Sequence, residues 1–70
     1  MEEEREERLE TLLINKRDER ISWCEFWDYF QDLNVSAKTY NEVQAKHSSK
    51  INQIDRSIRD LQNEINNLHQ

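Results

Sequence analysis

The chain has 70 residues, neither Gly nor Pro, 36% charged and 34% apolar residues, and a formal charge of −5. So short and polar a chain excludes a large globular core, because too little surface is buried to offset the entropy of ordering it. Residues 1–35 hold eleven acids and five bases, residues 36–70 four acids and five bases, so the first half repels nucleic-acid phosphates and anionic membrane surfaces.

Along the chain the first element is an acidic helix start, Met1 to Arg8, whose carboxylates favour the helix dipole. It lacks the basic and then apolar character of a signal peptide, and no apolar run approaches the roughly 20 residues that cross a bilayer. An intracellular, cytoplasmic setting is expected, and a single unpaired cysteine, Cys24, fits a reducing compartment. Because Met1 precedes an abrupt acidic stretch, residues 1–70 read as one segment of a larger protein.

One heptad register runs through all the residues that follow. Its a positions are Leu9, Lys16, Trp23, Phe30, Ala37, Gln44, Ile51, Ile58 and Ile65, and its d positions are Leu12, Glu19, Phe26, Leu33, Tyr40, His47, Ile54, Leu61 and Leu68; fourteen of the eighteen are apolar or aromatic. A sustained seven-residue period implies helices supercoiled about an apolar stripe. The aromatic-rich first half, 9–33, is weakest at Lys16 and Glu19, which are expected to reach outward while Leu13 at e supplies some of the lost apolar contact.

Within 9–33 the stretch Trp23 to Phe30 makes a wide apolar face. Trp23, Phe26 and Phe30 sit on the seam, with Trp27 and Tyr29 beside it at e and g. Packing into a core is the first expectation for this cluster. The second is docking of another helical protein through Trp23, Trp27 and Tyr29, since such side chains dominate binding hot spots.

The segment Leu33-Asn34-Val35-Ser36 carries the only break signal. Asn tolerates the left-handed conformation that ends helices, Ser36 is a good N-cap, and Val35 with Tyr40 could staple a new helix start. Two arrangements follow. One is a continuous helix on the order of 100 Å long, paired in a parallel homodimer; the other is a two-helix antiparallel hairpin, 2–33 and 37–69, assembling into a bundle. The hairpin pairs Phe30 with Tyr40, Trp23 with His47 and Leu9 with Leu61. The continuous helix is preferred because the second half keeps the heptad phase of the first and no Gly or Pro forces a turn.

The last element, 51–68, is an Ile/Leu zipper and gives the segment a general resemblance to coiled-coil oligomerisation segments. With Ile51, Ile58 and Ile65 at a, and Ile54, Leu61 and Leu68 at d, two strands are favoured. In a parallel pair Lys50 faces Asp55, and Glu64 faces His69. Within one helix Glu4 with Arg8, Glu42 with Lys46, and Asp55 with Arg59 add small support. The oligomer interface read from sequence is therefore Leu9, Leu12, Trp23, Phe26, Phe30, Leu33, Tyr40, His47, Ile51, Ile54, Ile58, Leu61, Ile65 and Leu68.

Chemistry has little to work with. His47, His69 and Cys24 do not make a zinc ligand set, Cys24 has no basic neighbour in the sequence to activate it, and phosphate loops and nucleophile–base arrangements are missing. No catalytic residue, metal or cofactor is expected, nor a small-molecule substrate. His47 reads first as a polar core residue that sets register with Gln44, and second as a pH-sensitive layer in a homomeric core. The functional expectation is an oligomerisation module through which a larger scaffold-type protein associates with itself, the alternative being a module that recruits another helical protein.

Overall fold

In the computed structural model, which describes residues 2–69, the chain forms two helices, α1 (Glu2–Gln31) and α2 (Ala37–Leu68), packed against each other. Met1, and with it the expectation that it opens an excised segment, lies outside the described residues. Among these residues there is no strand, and no helix is long and apolar enough to cross a membrane. Two packed helices fit the folded-back alternative, with ends within two residues of those read from the sequence.

The break has a local cause, although not the expected one. No residue described has positive φ, so Asn34 does not end α1 in the left-handed conformation. Instead α1 tightens as it stops: the amides of Asp32 and Leu33 donate to the carbonyls of Tyr29 and Phe30 at 3.2 and 3.0 Å, three residues back in each case. That shorter repeat satisfies carbonyls that the α pattern leaves open. Three residues later Ser36, at φ −66° and ψ 155°, caps α2 as expected, its Oγ accepting from the Thr39 amide at 3.2 Å.

The helices run antiparallel. Near the turn, the rings of Phe30 and Tyr40 lie 6.0 Å apart and those of Trp23 and His47 6.1 Å apart; at the far end His69 meets Glu6 at 2.8 Å. The assembly measures 52 × 15 × 13 Å with a radius of gyration of 16.1 Å, well above the about 11 Å of a compact domain of this length. A rod two helices thick has little interior. Leu9, Leu13, Phe30 and Ile54 are its buried apolar residues, and none of them is fully sealed.

Which residues face inward explains why the shared heptad phase did not imply one helix. In α2 the covered residues from His47 onward include all the expected ones, Ile51, Ile54, Ile58, Leu61, Ile65 and Leu68, together with Asp55 and Ser57 beside them. Towards the turn Val43 at g is half-buried where Gln44 at a is exposed. In α1 the a column is kept, as Leu9, Lys16, Trp23 and Phe30, but its companion is the e column, Glu6, Leu13, Arg20 and Trp27. The expected d residues Leu12, Phe26 and Leu33 stay exposed. A one-column rotation places the larger Trp27 and the Leu13 contact against α2, and breaks the continuity of the seam at the turn. The apolar residues of α2 keep to one side, whereas those of α1 are spread around the helix.

Two substitutions weigh these contributions. Ser36→Ala removes the cap and is expected to lower stability by about 1 kcal/mol, whereas Ile54→Ala, which empties the most buried position, is expected to cost about 2–5 kcal/mol. Urea titrations followed by far-ultraviolet circular dichroism should rank them in that order.

Candidate interaction surface

The aromatic residues divide into an inner stack and an outer edge. Trp27 lies at the centre of the stack, with ring centroids 5.8 Å from Phe30, 5.5 Å from Tyr40 and 4.9 Å from His47. Trp23 meets Phe26 and His47 edge-on at 5.9 and 6.1 Å. These separations are within the range in which aromatic pairs add to simple burial. Trp23 and Trp27, two of the three residues expected to dock a partner, are half-buried against α2, and only Tyr29 of that set is open.

His47 is held by more than its ring faces. Its Nε2 lies 3.0 Å from the Trp23 carbonyl oxygen, and because a carbonyl can only accept, Nε2 carries the proton and donates it. The expected pairing of Trp23 with His47 is therefore present in a specific form, side chain to main chain.

Polar residues tie the two helices together along the edge beyond the stack. Arg20 Nε donates to Asp55 Oδ1 at 2.7 Å, and its Nη1 lies 3.7 Å from Cys24 Sγ. The hydrogen bond and charge of Asp55 hold the Arg20 guanidinium above its ordinary pKa, so it stays charged at any pH at which the chain is handled. Cys24, expected to face outward without a basic neighbour, is half-buried with Arg20 one turn away. Asp55 and His69, expected to reach across a parallel dimer to Lys50 and Glu64, are engaged within the chain by Arg20 and Glu6 instead. Asp55 thus points to α1 rather than to its own Arg59. Lys16 and Glu19, the weak layer of the seam, pair with each other at 3.3 Å.

The surface left open is the flank of α1 that the inward rotation turns out. Leu12, Phe26 and Leu33 are 44, 42 and 42% exposed, and Tyr29 beside them is 65% exposed. Ile14 and Ile21 are exposed as well, seven residues apart in the f column on the other flank. All the large exposed apolar side chains found among the described residues belong to α1 or to the segment just after it. No group of three or more His, Cys, Asp or Glu among the described residues is arranged to hold a metal ion. Compared with known protein families, curated proteins and solved structures, the chain matches none.

The row Leu12, Glu19, Phe26, Leu33 was legible in the sequence as the d column, but its placement outside the helix pair was not. Arg20 with Asp55 was missed, since charge pairs 35 residues apart leave no periodic trace.

The ring stack gives an optical test. His47→Ala, which removes the ring stacked on Trp27, should change the tryptophan emission, whereas His47→Phe, which keeps a ring there and loses only the bond to the Trp23 carbonyl, should change it less; identical emission from both variants and the unmodified chain would contradict the stack.

Proposed function

We propose that this chain is a helical association module through which a larger scaffold-type protein joins to itself, and that the assembling unit is the antiparallel hairpin rather than one long helix. The observation that carries this reading is the open apolar side chains on one flank of α1, Leu12 and Phe26, continued by Leu33 just beyond the helix and interrupted at Glu19. Phe26 and Leu33, one heptad apart with Tyr29 between them, make an apolar patch of the kind that another helix covers. A hairpin with so few buried residues also gains stability from association by mass action.

The role proposed is binding alone, without a catalytic step. The second reading, recruitment of a different helical protein, loses Trp23 and Trp27 as docking residues because they pack inside the hairpin, and rests on Tyr29 with Phe26 and Leu33. The closed aromatic stack favours self-association as the first reading.

Sedimentation equilibrium on the purified chain tests it. The mass is expected to approach twice the single-chain 8.6 kDa as concentration rises through the micromolar range. Phe26→Glu is expected to return it to one chain with helicity largely retained, because Phe26 is exposed in the hairpin. A single-chain mass at every concentration would remove the proposal.

A further inference from the structure

The open flank of α1 has a spacing that fits itself. Its d row continues to Leu33, the second residue after the helix, and its g row contains Asn15, Ser22 and Tyr29, all exposed. Reversed in direction and laid against a copy of itself about a two-fold axis at Ser22, the row sets Leu12 opposite Leu33, Glu19 opposite Phe26 and Asn15 opposite Tyr29. We infer that two hairpins pair through this flank, α1 against α1 in antiparallel fashion, with Ser22 at the two-fold axis. The inference rests on the self-association just proposed and supplies its geometry.

Three observations select a second copy as the occupant. First, the chain exposes 5727 Å², whereas a compact monomer of its 8.6 kDa mass exposes about 4,700 Å². The excess of about 1,000 Å² comes from the thin rod shape and is enough to supply the roughly 800 Å² that each partner covers in a stable interface. Second, an interface between identical chains closes only when one patch meets itself; the row does so with Leu12 against Leu33 at both ends and Ser22 against its own copy at the axis, while Glu19, opposite Phe26, stays at the edge with Lys16. Third, among the described residues α2 exposes no large apolar side chain, so α1 laid on the α2 of another copy would leave Leu12 and Leu33 without the large apolar partners that they give each other in the symmetric pair. On the other flank, Ile14 and Ile21 stand between charged turns and do not extend into a row.

The same geometry sets a sign for the salt effect. Asp18 and Glu25, one column outside the row, face each other across the axis, and like charges there oppose pairing. Screening them tightens the dimer, the reverse of what a complex with a basic helix from another protein would do.

Oxidative crosslinking in a Cys24→Ser background tests the inference. Ser22→Cys is expected to give a disulfide-linked dimer in high yield, while Ile21→Cys on the other flank gives little. Chains carrying Leu12→Cys mixed with chains carrying Leu33→Cys should link to each other, and chains carrying Leu12→Cys alone should not. The dissociation constant is expected to fall by about twofold or more between low and about 0.5 M salt. A dimer by sedimentation that links Leu12→Cys to itself, fails to link through Ser22→Cys, or loosens with salt overturns this geometry while leaving self-association in place. A single-chain mass throughout overturns both, including where the chain binds a basic amphipathic peptide instead.

Discussion

The fold depends on one aromatic ring being covered from both helices. Trp27 contributes the centre of a stack completed by Phe30 on its own helix and by Tyr40 and His47 on the other, and it can do so only because α1 turns its e column inward. That rotation brings Leu13 into cover, carries Arg20 to the edge where Asp55 meets it, and leaves Leu12, Phe26 and Leu33 outside. The interior of the hairpin and the exposed flank are two results of the same one-column rotation of α1, on the order of 50°.

The turn is set by the chain's own hydrogen bonding. Neither Gly nor Pro occurs, and the reversal is made by a tightened last turn of α1 followed by a serine cap. These contributions are individually small, about 1 kcal/mol for a cap, and the ring contacts next to the turn supply the long-range part. The polar pairs farther along, Arg20 with Asp55 and Glu6 with His69, lie at the edge of the helix pair and keep part of each side chain in solvent. They fix which side chains meet more than how tightly the helices hold.

Helical content, the break at 33–36, Ser36 as the cap, and the zipper face of α2 were all legible in the sequence, because each follows from near-neighbour chemistry or a strict period. The pairing of Phe30 with Tyr40 and of Trp23 with His47 followed once the break was admitted. The inward column of α1 was harder to read. Trp23, Phe26, Trp27, Tyr29 and Phe30 supply apolar side chains to four of the seven heptad columns, so period alone does not choose between d and e; contact with α2 does. Both halves share the a column and differ in its companion, so phase continuity between them is compatible with a single rod and with a hairpin. The acceptance of a histidine proton by the Trp23 carbonyl had no sequence signal, because main-chain acceptors are the same at every position.

The closeness of Glu6 to His69 means that the two strands of polypeptide enter and leave at a single pole, with the turn some 50 Å away at the other. Such a unit projects like a finger from whatever carries it, and can be spliced into a surface loop without pulling the flanking residues apart. Two fingers clasped head to tail would point their carriers in opposite directions. Such a clasp would then act as a spacer of fixed length, reporting distance as well as attachment.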